Sequence, residues 1–315
     1  MAEAIKAQKK QIAQKKQIGP SGSGWIVWVF LAPAILAMGL TVFYPLMKGI
    51  WFSFTDIDQY TMGNAFEAPS YEFIGLENYK EILFSQDSDL LRVLWQTVLW
   101  TVINVSFHFG LGLLFALLLN HGFKGRSLFR LLLMVPWAVP AYVAAFSWRW
   151  MFNGDYGLFN QVLQMFSIEP INWLSKPFWA MTAAIATNVW LGYPFMMVSI
   201  LAGLKTIPGA LYEAAMLDGA SRFQQFKQIT LPMLRPVSLS VILLGFVWTF
   251  NMFPVIYLVT KGGPYGSTEI LATYAYREAF ESWNLAEAST YGVIILSILI
   301  VLSTIYSRMT KERVS

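Results

Sequence analysis

Long uncharged apolar blocks alternate with short polar segments along this chain, and the blocks exceed what a soluble helix needs. Six stretches hold no Asp, Glu, Lys or Arg: 25–47, 93–123, 131–148, 177–204, 236–260 and 288–307. Each is close to or beyond the ~20 residues that a helix needs to cross a bilayer. They predict six transmembrane helices in an all-α, polytopic membrane protein. The third is the shortest; its helix can run past Arg149 if the guanidinium snorkels to the headgroups. Proline falls inside or at the ends of the spans at Pro33, Pro45, Pro136, Pro140, Pro194 and Pro254. Each interior proline removes a backbone donor and predicts a kink. Gly110, Gly112, Ala183, Ala184 and Ala186 predict close helix packing.

Between the fourth and fifth blocks lies a polar cytoplasmic candidate, 205–236, with its own helical pattern. Thr206 is placed to cap a first helix that begins near Pro208. Leu211, Ala214, Ala215, Leu217 and Asp218 follow at helical spacing, and Gly219 suits the left-handed position that ends a helix. Ser221 and Gln224 have capping-box spacing. Phe223, Phe226, Ile229 and Thr230 form a second stripe, and Leu231-Pro232 is expected to turn the chain toward the fifth span. Two helices of about ten residues are marginal alone in water, so the pair must lean on the protein's own helix ends or on a partner's groove.

Composition agrees with a bilayer as solvent. Of 315 residues, 56% are hydrophobic and 13% charged, with a mean hydropathy of +0.51; a soluble domain carries about 25% charged residues. The basic residues set the orientation. Lys6, Lys9, Lys10, Lys15 and Lys16 precede the first span. Lys124, Arg126 and Arg130 lie between spans two and three. Lys205, Arg222, Lys227 and Arg235 lie between four and five, and Arg308, Lys311 and Arg313 follow the sixth. The other side holds only Lys80, Arg92, Lys176, Lys261 and Arg277. This asymmetry puts both termini in the cytoplasm, with residues 1–24 and 309–315 as cytoplasmic tails around a transmembrane domain spanning 25–308. It also explains the net charge of +4 without a nucleic-acid partner. The outer loop 52–92 is acidic, through Asp56, Asp58, Glu67, Glu72, Glu77, Glu81, Asp87 and Asp89; this fits the topology and also a partner's docking surface. The outer loop 261–287 opens on Gly262-Gly263-Pro264 and carries a helical pattern through Ile270, Tyr274, Phe280 and Trp283.

The inventory of reactive groups is sparse. The absence of cysteine excludes disulfides and thiolate metal sites. His108 lies four residues after Asn104, on the same helix face, and reads as an interhelical hydrogen bond or as a polar site. There is no paired-carboxylate constellation, H-E-x-x-H or G-x-S-x-G, and the G-F-K-G-R-S at 122–127 is too short and wrongly ordered for a phosphate loop. These absences argue against a membrane enzyme. No acidic residue sits inside a span, which counts against an ion-coupled carrier.

Glu213-Ala214-Ala215, three residues, Gly219, nine residues, Ile229, one residue and Leu231-Pro232 reproduce the Glu-Ala-Ala loop of binding-protein-dependent ABC importers. The chain resembles the permease subunits of type I ABC importers, in particular the carbohydrate-uptake group that includes the larger maltodextrin permeases. Further support comes from Phe73-Ile74-Gly75-Leu76-Glu77-Asn78-Tyr79, Trp190-Leu191-Gly192-Tyr193-Pro194-Phe195-Met196 and Thr260-Lys261-Gly262-Gly263-Pro264.

The resemblance implies a subunit of an inner-membrane importer that moves a sugar, a di- or oligosaccharide, by alternating access. Its partners would be a second, related permease, two copies of an ATPase and an extracytoplasmic sugar-binding protein. No cofactor is expected on this chain; ATP and Mg²⁺ would be used by the ATPases. Coupling would involve Glu213, Ala214, Ala215, Asp218, Gly219, Phe223, Phe226, Ile229, Leu231 and Pro232. A neutral sugar needs aromatic faces and hydrogen-bonding groups, which the residues near the Pro194 kink offer in Asn188, Gly192, Tyr193 and Phe195 of the fourth span. On the fifth, Gly245, Trp248, Thr249 and Met252 share one face and match positions that line the sugar path in the family. The same faces could instead pack against the second permease. A permease for glycerol phosphate or another polyol derivative is the alternative within the family, and an ion-coupled carrier the alternative outside it.

Overall fold

The structure is a computed structural model and describes residues 24–311. The expected N-terminal tail up to residue 23 and the last four residues of the expected C-terminal tail lie outside the described residues. The chain divides into two units, one ending at Trp51 and one starting at Phe52. The first is an apolar rod of α1 (Gly24–Met38), a π turn (Gly39–Phe43) and α2 (Tyr44–Phe52, whose last residue opens the second unit). Pro45 explains the π turn. Its ring would strike the Thr41 carbonyl in a regular α-helix, and one extra residue per turn relieves the clash.

The second unit contains α3 (Glu77–Phe84), α4 (Leu90–Asn120), α5 (Arg126–Ala138), α6 (Ala141–Met151), α7 (Leu158–Met165) and α8 (Pro177–Lys205). It continues with α9 (Gly209–Leu217), α10 (Arg222–Gln225), a second π turn (Phe226–Thr230), α11 (Leu231–Phe250), α12 (Phe253–Val259), α13 (Leu271–Phe280) and α14 (Leu285–Lys311). Among the described residues the only extended pairing is one bridge, Thr55 to Phe73.

Among the described residues, five helical stretches are long and apolar enough to cross a membrane: Val27–Phe52, Leu90–Asn120, Pro177–Lys205, Arg222–Phe250 and Leu285–Arg308. The predicted third span is not one straight helix. It breaks between α5 and α6, which meet at 94°. Pro140 forces Val139 out of the helical region, to ψ 126°. The predicted fifth span also ends early. Asn251 and Met252 leave the helix and Pro254 falls in the first turn of α12, where its missing N–H costs nothing. Pro194 stays inside an unbroken α8.

The core forms where α4 lies along α8. Gly112 makes this approach possible: a Cβ there would stand 2.5 Å from Met196 Cβ and 2.9 Å from Met197 N. Ala183 and Ala184 are fully buried, whereas Gly110 faces outward with no described residue of its own chain packed where its Cβ would stand. Buried hydroxyls close their own helical turns: Thr97, Thr101 and Thr187 donate to the carbonyl four residues back. This is how a polar side chain is tolerated where no water can reach. Trp100 Nε1 crosses to the Thr249 carbonyl at 2.9 Å and ties α4 to α11.

The outer segments are braced by single residues. Asn78 donates to the carbonyls of Ser53 and Thr55, and the Tyr79 hydroxyl meets Ser53 Oγ at 2.7 Å. The motif at 73–79 is therefore a clamp on its own loop. The expected helix near 270–283 is α13, although Trp283 lies beyond its end.

Candidate functional site

Two places carry the residues expected from the sequence, and the helical stretch 222–250 runs from the first to the second. The first is the segment after α8. Gly219 has φ +80° and its N–H meets the Met216 carbonyl, while Ala220 N reaches Ala215 O at 2.8 Å. This is the left-handed helix end that glycine permits. Ser221 and Gln224 form the expected capping box, with bonds of 3.3 and 2.7 Å.

Two details differ from expectation. Thr206 does not cap α9: its hydroxyl donates to the Gly203 carbonyl, and Pro208 precedes the helix. Leu231-Pro232 does not turn the chain. One turn of α10 runs through the π turn directly into α11, with Leu231 N bonded to Phe226 O. The extra residue absorbs Pro232 as it does Pro45, so the segment and the fifth span form a continuous rod.

Glu213, Ala214, Asp218, Gly219, Phe223, Leu231 and Pro232 are exposed. Ala215, Phe226 and Ile229 are half-buried, and Ile229 packs into the protein's own core beside Tyr212. The Tyr212 hydroxyl meets Thr230 Oγ1 at 2.9 Å and fastens α9 to the rod. Met216 and Leu217 present further apolar surface on the same segment.

The second place is a cavity of about 270 Å³ between α4, the α5–α6 break, α8 and α11. Seven of the eight residues expected on a sugar path line it: Asn188, Gly192, Phe195, Gly245, Trp248, Thr249 and Met252. Tyr193 does not. One residue beyond Gly192 it points elsewhere, packs on Phe115 and donates to the Leu133 carbonyl at 3.1 Å. Phe195 and Trp248 meet with ring centroids 4.9 Å apart, forming an aromatic wall.

The wall is apolar and its polar groups are few. His108 Nε2 donates to the Asn188 carbonyl at 2.9 Å, the interhelical bond expected of it. Gly192 is what lets the imidazole approach α8, because a Cβ there would collide with the His108 ring. Asn188 is fully buried, and among the described residues neither its side-chain oxygen nor its nitrogen has a partner. A primary amide with nothing to bond costs on the order of 1–3 kcal/mol, and Asn188 lines a cavity. No Lys, Arg, Asp or Glu lines it.

The break at Pro140 adds Pro136, Trp137, Val139 and Ala141 to the wall, residues not expected on the sugar path from the sequence. The signal was the pair Pro136 and Pro140 in the shortest apolar block.

Residues 108–313 match the family described as binding-protein-dependent transport system inner membrane component. The chain is 36% identical over 277 residues to the trehalose/maltose transport system permease protein MalF of Thermococcus litoralis, covering 88% of this chain and 90% of that one. It is 33% identical over 309 residues to the sulfoquinovosyl glycerol transport system permease protein SmoG of Agrobacterium fabrum, covering 98% of each. Among solved structures, a subunit of a bacterial alginate ABC transporter in complex with alginate pentasaccharide-bound periplasmic protein superposes with a TM-score of 0.77. It is 22% identical, over 91% of this chain and 94% of that one, and shows the fold.

Proposed function

The chain belongs to the binding-protein-dependent transport system inner membrane components, and from that premise we propose that it is the permease subunit of an ABC importer for a neutral sugar. The observation that carries the substrate class is an aromatic-walled cavity that no ionised group lines, with the unpaired, fully buried amide of Asn188 directly behind its wall. A sugar offers hydroxyls that both donate and accept, and apolar C–H faces that suit Trp248 and Phe195. MalF of T. litoralis handles trehalose and maltose by its name, and a neutral disaccharide fits this wall. A sulfonated or phosphorylated substrate would find no cation on this chain's side of the path.

The drive comes from outside the chain. ATP and Mg²⁺ act on separate ATPase subunits, and the exposed Glu213, Ala214, Gly219 and Phe223 form the surface that one ATPase grips. Residues 222–250 are continuous through the π turn, so a push at the capping box travels along one rod. It covers about 40 Å at 1.5 Å per residue and reaches Gly245, Trp248 and Thr249 on the cavity wall. Nucleotide biases the cavity toward one side of the membrane only as far as the ATPases hold one rod position better than the other. A second permease supplies the facing wall, and an extracytoplasmic binding protein delivers the sugar.

The test is uptake by the assembled importer in proteoliposomes, with maltose and trehalose set against sulfoquinovosyl glycerol. The expected result is ATP-dependent accumulation of a neutral disaccharide that an uncoupler leaves intact. Uptake abolished by the uncoupler and indifferent to ATP would make the chain an ion-coupled carrier. Selective uptake of the sulfonated sugar would overturn the neutral-substrate reading.

A further inference from the structure

The segment from Lys261 to Glu269, between α12 and α13, is pinned from several directions. Thr268 N bonds Gly262 O, Ser267 N bonds Pro264 O, and the Thr260 and Thr268 hydroxyls meet at 2.7 Å. Beneath it Glu269 is 3% exposed, pairs with Arg277 at 3.0 Å and lies 3.7 Å from Arg92. Burial pushes its carboxyl above the ordinary range, against the opposing pull of the two guanidinium groups. Arg92 also donates to the Gly266 carbonyl at 3.0 Å and holds Asp89 at 2.8 Å. Gly262 and Gly266 both have positive φ, and Glu269 and Arg92 crowd the places where their Cβ atoms would stand.

At the crest of this turn stands Tyr265. Its φ is +54°, a conformation in which a non-glycine residue is strained, and its side chain is 97% exposed. The turn thus holds a large aromatic ring away from every apolar surface of its own chain, at a backbone position where glycine would be easier. Backbone strain that the surroundings over-determine is found at functional sites. Tyrosine on a rigid support binds with little loss of conformational freedom and is enriched among interface hot spots. By the charge asymmetry the turn lies on the extracytoplasmic face, opposite the Glu213 segment. Asp89, on the other side of Arg92, lines an acidic cleft with Glu81, Asp87 and Glu287.

We infer that Tyr265 is a docking anchor for the extracytoplasmic binding protein, whose facing lobe carries basic residues that sit against the Glu81–Asp89 cleft. The inference rests on the importer reading above, and the two fail differently. If the wild-type importer's ATPase does not respond to its binding protein at all, the importer reading fails whatever Tyr265 does.

The experiment titrates the purified importer with that binding protein and reads stimulated ATPase for wild type, Tyr265→Ala and Tyr265→Gly. The glycine variant removes the ring and relieves the backbone, so it separates contact from folding. Both variants should raise the half-saturating concentration of binding protein about tenfold or more. Basal ATPase and the maximal stimulated rate should stay within about twofold, and Tyr265→Gly should melt no lower than wild type. Raising salt should weaken half-saturation further in all three proteins, since a charged rim sets encounter. An unchanged half-saturating concentration in Tyr265→Gly overturns the anchor. Separation of the two permeases in Tyr265→Ala on gel filtration also overturns it, and assigns the turn to the permease interface. Half-saturation indifferent to salt removes the basic lobe.

Discussion

Asn188 and Gly192 share one face of α8 and fill opposite needs. Asn188 leaves both amide atoms unpaired, which costs stability, and Gly192 gives up a side chain so that His108 can reach the Asn188 carbonyl. Replacing Asn188 with Leu removes an unsatisfied polar group from an apolar wall. The expected outcome is an importer that melts at the same or a higher temperature and takes up sugar at least about tenfold more slowly, the cost of roughly one lost hydrogen bond to substrate. Thermal unfolding and uptake on the same preparation check it, and full uptake would mean the amide does not face the sugar. Gly192→Ala should act on stability first, because the methyl collides with the imidazole. Overpacking of this kind costs about 1–3 kcal/mol, visible as a lower melting temperature. Gly192 was legible in the sequence as a cavity residue from its place beside the proline at 194. Its pairing with His108 was not, since the two are 84 positions apart and only the α4–α8 approach joins them.

At the scale of elements, two π turns stand directly before a helical proline, at Gly39–Phe43 before Pro45 and at Phe226–Thr230 before Pro232. In each the extra residue lets a long helix pass through a proline without stopping. The second makes the cytoplasmic segment part of the fifth span. Glu213→Lys should leave membrane insertion and assembly intact and abolish ATP-driven uptake, because it reverses the charge on the face offered to an ATPase. Normal uptake by that variant would remove Glu213 from the coupling contact. Tyr212→Phe tests the fastening of α9 to the rod. Loss of one hydrogen bond of about 1 kcal/mol should leave ATPase activity near wild type while lowering sugar moved per ATP, measured as the ratio of the two rates. The first helix, Gly219 and the Ser221–Gln224 box were legible because caps are local chemistry. The continuation past Pro232 was not: proline after a short helix reads equally as a stop, and the choice depends on what the following residues pack against. Ile229 and Leu234, held in the core with α8, decide it.

For the whole molecule, the two candidate regions are linked by one rod, and the ion network under Tyr265 lies in the outer segment before α13. Glu269 is the most deeply buried member of that network. Glu269→Ala leaves Arg277 and Arg92 without their shared partner. Breaking a fully buried pair costs about 3–5 kcal/mol, but these arginines keep 35% and 40% of their side-chain surface. Screening reduces the expected loss to about 1–2 kcal/mol, measurable by thermal unfolding; an unchanged melting temperature would show the network to be idle.

The sequence by itself determined that the chain lives in a membrane and which way it faces, and it marked out the capped segment proposed here as the contact for an outside motor. Those properties follow from hydropathy, charge asymmetry and caps, all of which act within a few residues. Only the tertiary structure decided that the third span breaks at Pro140 to wall a cavity and that Tyr193 turns away from it. It alone also showed that Asn188 is left unpaired and that the coupling segment and the cavity share one helix. These depend on which faces of distant helices meet, and in a bilayer, where every helix satisfies its own backbone, only side-chain fit between neighbours settles that.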